Sequence, residues 1–263
     1  MQARLLLGLV LLASFSWGET FDKPVRKQRV NLGKAANPLS GRNRVTCYYF
    51  PHFMVKEVDL GEVGAERLGI VRRTPQSTGK CTRARGKEEM VVPVKEWSGY
   101  FMGVKNGYVF FSGDDSWNGA TPFAIFDSKT GKKLFEDSAK ANISFVTRPD
   151  QAIAMQYVRV VTDDCLILKD AACWQRMAAK YGLAAATAPD CKKGYEASAE
   201  EMAKGRCTGK PGAPAACVEK ERPLVLKQAL DSPSVISYPV EVDLGATPVT
   251  KPAGAAVGCW PAD

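Results

Sequence analysis

A chain of 263 residues, 45% of them hydrophobic, is long enough to bury the core of one large or two small domains. It carries 36 Lys and Arg against 28 Asp and Glu, a formal charge of +8, which points to anionic counterparts: glycans, lipid head groups, acidic proteins or nucleic acid. A single histidine, with no Gly-x-Ser-x-Gly, Walker or Gly-x-Gly-x-x-Gly motif, argues against serine-triad hydrolysis, P-loop chemistry and dinucleotide chemistry.

Residues 1–18, MQARLLLGLVLLASFSWG, combine Arg4, an apolar run over 5–13 and small residues at Ser16 and Gly18. This is the plan of a secretory signal peptide cut after Gly18. A membrane anchor needs ~20 apolar residues, more than this run supplies. No cysteine near the cut offers a lipid attachment point, and no later stretch is apolar enough to span a bilayer. The mature protein is expected to be soluble, secreted or periplasmic, with a charge of about +7 once Arg4 is gone (8 − 1).

Residues 19–44 hold seven basic residues, two acidic ones and two prolines without periodicity, and read as a basic extended arm. The arm is either a spacer or a dock for an anionic surface. With no aromatic interleaving, stacking on bases and hence a specific nucleic-acid partner is not expected. Strands are predicted over 45–50, 53–60 and 68–73. The connection 74–87 then collects Lys80, Arg83, Arg85 and Lys87 with no acidic residue, pinned by Cys81. A pinned loop has already lost much of its ordering entropy, which makes these four the better anion-binding candidates. Solvated loop charge is the plainer alternative.

The stretch 97–136 is the most strongly patterned. Strands over 100–104 and 108–112 flank Asn106-Gly107, a pair that tolerates the positive φ of a type I′ turn. Strands over 121–127 and 132–136 flank a turn that Asp127 caps and Gly131 closes. In 108–111 and 123–126 both alternating faces are apolar, so these strands are expected to be covered on both sides. Further strands follow over 143–146, 152–161 and 165–168. Asn142-Ile143-Ser144 is a glycosylation sequon, relevant in a eukaryotic secretory pathway.

Residues 171–183 are helix-forming, with Trp174, Met177, Ala178 and Tyr181 at helical spacing and Gly182 as the stop. Ser198 and Glu201 form a capping box opening a short helix ended by Gly205. Prolines 189, 211 and 214 and several cysteines mark 171–222 as a stapled helical excursion. From 223 to 244 the chain is expected to return to strand. Tyr238, Val240, Val242 and Leu244 face one way, and Ser237, Pro239, Glu241 and Asp243 the other, as on an edge strand. Glu-Val-Asp-Leu-Gly at both 57–61 and 241–245 reads as a duplication or as two edge strands with similar demands. The Pro/Ala/Gly-rich tail is held through Cys259.

The eight cysteines, Cys47, Cys81, Cys165, Cys173, Cys191, Cys207, Cys217 and Cys259, are an even number in an exported chain and read as four disulfides. Zinc would require Cys-x-x-Cys or Cys/His spacing, which is missing. Sequential pairing (47–81, 165–173, 191–207, 217–259) is the simplest connectivity. Paired cysteines leave no thiol nucleophile, and His52, beside Pro51 and between two phenylalanines, reads as a packed or turn residue.

The polar interruption 112–120 supplies the remaining candidate site. Asp114, Asp115, Ser116 and Asn118 followed by Gly119 resemble the first half of a calcium loop, but the twelfth position is Ile125, where a bidentate glutamate belongs. The plainer account is a solvated connection carrying an exposed Trp117 to a sugar ring or a partner protein. Asp114-Asp115 and Asp163-Asp164 could serve a glycosidase, which needs two carboxylates across a cleft from different elements. Inhibition of a lysozyme fits poorly, since two basic proteins repel.

The fold expected is mainly β: an antiparallel sandwich or barrel-like core over 45–170 and 223–263 with the stapled helical excursion between. The hairpin Asp127-x-x-Thr130-Gly131-Lys132-x-Leu134 resembles hairpins of β-propeller repeats, which makes a small propeller the alternative fold. The expected function is a non-enzymatic binding or structural protein of the cell envelope or extracellular space, without cofactor or metal. Its partner would be an anionic envelope component or a protein. The competing function is a secreted carboxylate-dependent hydrolase.

Overall fold

The computed structural model describes residues 19–35, 40–74, 79–184, 188–208, 214–245 and 247–262. The signal-peptide stretch, its cut and Pro211 lie outside the described residues.

Two antiparallel sheets face each other. The first is a meander of β1 (Arg26–Asn31), β2 (Arg44–Tyr49), β3 (Phe53–Asp59), β4 (Arg67–Arg72) and β5 (Glu89–Val92), side by side in that order. The second contains β6 (Tyr100–Lys105), β7 (Tyr108–Ser112), β8 (Thr121–Asp127), β9 (Lys133–Ala139), β10 (Ser144–Thr147), β11 (Ile153–Thr162), β12 (Ser234–Leu244), β13 (Val249–Pro252) and β14 (Gly258–Pro261). Its order runs β6-β7-β8-β9-β11-β12-β13, with β10 along β11 and β14 along β12. Helices α1 (Ala171–Tyr181), α2 (Cys191–Cys207) and α3 (Pro214–Ala229) lie between β11 and β12 in the chain. The strands form two sheets and no set of blades, so the propeller alternative falls.

Local chemistry sets the hairpins. Asn106 and Gly107 both take positive φ, 46° and 84°, as a type I′ turn requires. Asp127 Oδ1 accepts hydrogen bonds from the Thr130 amide (2.6 Å) and hydroxyl (2.7 Å), and Gly131 closes that turn at φ 70°. Because β7 and β8 are apolar on both faces, they become the middle layer. Val109, Phe111, Ala124 and Phe126 pack against Phe53, Val55, Leu68 and Ile70 of the first sheet. Phe110, Phe123 and Ile125 face the other way, into a cluster with Phe145, Met155, Trp174 and Tyr238.

The second sheet curls toward itself without closing into a barrel: the Tyr108 hydroxyl on β7 donates to the Leu244 carbonyl at the end of β12 (3.2 Å). The N-terminal segment spans the gap. Glu19 exchanges backbone hydrogen bonds with Phe145 on β10 (2.8 and 3.0 Å), and the Asp22 amide donates to Val104 on β6 (2.7 Å). Phe21 lies edge-on to Phe110 and Phe145, over Gly103, where a Cβ would stand 2.4 Å from its ring.

Several expectations are corrected. Within the expected arm, 26–31 pair with β2 along their full length, because Gln28 and Val30 carry enough alternation for one partly buried strand. Residues 165–168 turn rather than extend, drawn round by the Cys165–Cys173 bond into α1. Ser198 lies inside α2, whose N-cap is Asp190, and Gly205 is helical. Residues 223–229 are helical through Pro223, since Val225 packs on Ala199 and Ala203 of α2. The strand over 234–244 is paired on both sides. Pro239 is tolerated because it faces the interval between β13 and β14, where its carbonyl accepts from Ala253 (2.9 Å). The two Glu-Val-Asp-Leu-Gly copies fall on β3, third of five strands, and on β12 of the other sheet. These are not equivalent positions.

Four disulfides form: 47–81, 165–173, 191–259 and 207–217. The last two depart from sequential pairing for a geometric reason. Cys191 and Cys207 stand at opposite ends of one helix, ~24 Å apart at 1.5 Å per residue, so they cannot bond to each other.

Candidate functional site

The polar loop of 112–120 is built as a turn. Trp117 and Ala120 exchange backbone hydrogen bonds (2.8 and 2.9 Å) around Asn118 and Gly119, at φ 52° and 72°, a second Asn-Gly turn. Asn118 is buried, and its amide nitrogen donates to the Thr162 hydroxyl on β11 (2.9 Å), so its side chain anchors the loop. Asp115 accepts from the Ser116 amide (2.7 Å), and Asp114 from the Ser98 hydroxyl (3.4 Å). No grouping of three potential metal ligands occurs among the described residues. Trp117 is 68% exposed, held out on this tight turn.

The aspartate pairs do not face each other across a described cleft. Asp163 is bound to Lys180 (3.0 Å), whose ammonium holds its carboxyl below the usual carboxylate range; Asp164 is exposed. Asp114 lines a cleft of about 600 Å³ with Trp97, Glu136 and Asp137. Both Asp137 oxygens already accept, from the Tyr157 hydroxyl (2.5 Å) and Arg159 Nε (2.9 Å). Burial, and then the Asp137 charge, push the Tyr157 hydroxyl far up, so it stays a donor.

The basic connection is a lid. Cys81 fixes it to β2, and beneath it Lys56 and Glu89 form an ion pair with side chains 2% and 0% exposed. The lid's backbone completes their bonding: Lys56 Nζ donates to the Ala84 carbonyl (2.8 Å), and the Gly86 amide donates to Glu89 (2.9 Å). Lys80, Arg83, Arg85 and Lys87 point outward, and Arg83 pairs with Glu66 (3.1 Å).

Sequence reasoning missed the cleft where the turns of both sheets meet. It encloses about 790 Å³ and is walled by the β2–β3 turn (Phe50, Pro51, His52, Phe53), the end of β4 (Arg72, Arg73), the β6–β7 turn, Lys129 of the β8–β9 turn, and the N-terminal segment with Asp22, Lys23 and Val25. His52 sits in the exposed turn, as expected, but on the cleft wall. Cross-ties make the frame firm. Arg72 donates from Nε and Nη2 to the Lys129 carbonyl (3.2 and 2.6 Å), joining one sheet to the other. Arg73 donates to the Phe50 carbonyl and lies 5.3 Å from the centre of the Tyr49 ring. Ser128 donates to the Gly107 carbonyl (3.0 Å), tying the two turns of the second sheet.

Four cations, Lys23, Arg72, Arg73 and Lys129, line this cleft against one carboxylate, Asp22. Asp22 is occupied: it accepts from the Asn106 amide (2.7 Å) and lies 3.6 Å from Lys105. None of the four cations makes an ion pair among the described residues. The one hint in the sequence was Arg72-Arg73 ending a strand. Nothing local shows that this pair, the 50–53 turn and Lys129 share one end of the fold.

Fold and cleft define a disulfide-bonded antiparallel β-sandwich with a cationic concavity at one end, and the four disulfides fit an oxidising extracellular or periplasmic compartment. Compared with known protein families, with curated proteins and with solved structures, the chain finds no match.

Proposed function

We propose that this is an exported, non-enzymatic binding protein of the cell envelope or extracellular space that takes an anionic ligand in the cleft between the two sheets. Export rests on the leader-like stretch 1–18, with cleavage after Gly18, and on the four disulfides. The observation that carries the binding reading is the set of four cations, without an ion pair among the described residues, that line one concave surface together with a single described carboxylate, Asp22, which is already engaged. Pinned guanidinium groups are suited to phosphate and carboxylate oxygens, because their planar donors are held in place before the ligand arrives.

Calorimetric titration of the mature protein with inorganic phosphate, at low and raised salt, tests this. Binding that weakens with salt and is lost in Arg72→Gln/Lys129→Gln is expected. Unchanged binding in that variant, or none to phosphate or to simple carboxylates, would refute the proposal.

A further inference from the structure

We infer that the ligand is an amphiphile: an organic phosphate or carboxylate whose head meets Arg72, Arg73 and Lys129 while an apolar chain lies along Phe50, Phe53 and Val25. The inference rests on the preceding proposal that the cleft takes an anion, and it adds the other half of the molecule.

Three observations converge. Beside the cations the wall is apolar and rigid: the Phe50 and Phe53 rings stack 5.1 Å apart at 19°, and both belong to the core between the sheets. Val25 extends that surface outward. Its backbone is fixed by a hydrogen bond to the Tyr49 carbonyl (2.8 Å), yet its side chain is 68% exposed. A lone exposed valine is ordinary, but one held at the mouth of an apolar wall is surface that a chain would cover.

The second observation is size. The cleft of about 790 Å³ is in the range that small-molecule sites occupy, ~300–1,000 Å³. A bare anion of a few atoms would leave most of it filled with water, whose share of liquid volume is ~30 Å³ per molecule. A hydrated polyanionic glycan would use the cations and leave the phenylalanine wall idle.

The third is donor geometry. Arg72 and Arg73 each spend part of their guanidinium on a carbonyl, which orients the rest, and the buried Arg73 Nε has no acceptor among the described residues. The head is therefore placed at the β4 end, and the chain runs toward the N-terminal segment. Walls on several sides suit a single molecule taken from solution rather than a bilayer surface.

The test is calorimetric titration of the mature protein with octyl phosphate kept monomeric, inorganic phosphate and octanol. Octyl phosphate is expected to bind at least tenfold more tightly than inorganic phosphate. Val25→Asn should narrow the preference for octyl phosphate over inorganic phosphate severalfold; an unchanged ratio would overturn the placement of the chain. Lys129→Gln, at an exposed position where folding is not at stake, should weaken octyl phosphate at least tenfold. Equal affinity for octyl and inorganic phosphate would overturn the amphiphile while leaving an anion-binding cleft. Binding of neither overturns both readings. Binding to anionic phospholipid vesicles without binding of octyl phosphate would also overturn it, making the same cations a membrane footprint.

Discussion

Lys56→Met breaks the buried pair under the 79–88 lid, and the structure sets how much that costs. Lys56 lies on the central strand of the first sheet, and Glu89 reaches it across Gly69, where a Cβ would come within 2.7 Å of the carboxylate. Both side chains are out of water. Removing one partner of such a pair costs ~3–5 kcal/mol, because the other charge stays buried without its counterion. The lower end applies here, since Glu89 keeps the Gly86 amide, and Arg67 Nε stands 3.3 Å away. That arginine attracts the carboxylate without the alignment for a hydrogen bond: Arg67 Nε and Glu89 Oε1 both lack a hydrogen-bond partner. Lys56→Met therefore costs ~3 kcal/mol. Lys56→Met/Glu89→Met, which removes both members of the pair and leaves the Ala84 carbonyl, the Gly86 amide and Arg67 Nε to find water, falls within ~1–2 kcal/mol of the parent. Urea unfolding with disulfides intact measures the parent, both single variants and the double. Additive effects, or a Lys56→Met cost under ~1 kcal/mol, would refute a dry, coupled pair.

Three other predictions follow from single side chains. Glu57, on the inner face of β3, accepts from the Phe101 amide at the edge of β6 (2.8 Å), and burial raises its carboxyl above the ordinary 4.5. Such a group contributes stability that is complete below the unfolded value and lost as pH rises through the folded one. Glu57→Gln keeps an acceptor and should gain on the parent in melting temperature across that interval; parallel pH profiles would sink the idea. Gly103→Ala drives a methyl into the Phe21 ring, costs ~1–3 kcal/mol and weakens cleft binding, because Lys23 and Val25 ride on the displaced segment. Stability equal to the parent would show that Phe21 is not seated there. Asn118→Ala loses the Thr162 bond and the tolerance for φ 52°, lowering stability by ~1–2 kcal/mol, whereas Trp117→Ala leaves the melting temperature nearly unchanged. Equal shifts in the two variants would contradict their opposite burial.

The elements legible in the sequence are those whose signals are local. Asn106-Gly107 and Asp127 to Gly131 fix two hairpins by backbone chemistry alone, and the doubly apolar faces of β7 and β8 announce a middle layer. Asp170 and Gly182 bound α1 where the periodicity placed it. The failures are those of context. A capping-box pattern at Ser198 is outcompeted by Asp190, because Tyr195, Ala199 and Ala203 extend one buried stripe back to Cys191. The run Pro-Leu-Val-Leu at 223–226 looks extended, yet packing on α2 and the Cys207–Cys217 bond settle it as helix. Disulfide partners follow from where α2 puts its two ends, which no spacing rule contains.

The site was illegible for a different reason: counting charges along a chain treats them as equivalent, and folding sorts them. Lys80, Arg83, Arg85 and Lys87 form a basic cluster with no acidic residue among them, yet they end up on the outer side of a lid whose backbone serves Lys56 and Glu89. Arg148 answers Glu241 and Asp243, and Lys105 answers Glu19. The four cations of the cleft are scattered in sequence, one on the N-terminal segment, two at the end of β4 and one in the β8–β9 turn. Only the packing of one sheet on the other brings them to a common concavity. Charge left on a convex surface is solvated and screened, whereas charge left over an apolar wall keeps its field and has somewhere to hold a ligand. For a basic, disulfide-bonded protein the informative quantity is therefore not the net charge but the cations that the fold leaves without partners on an inward-curving surface.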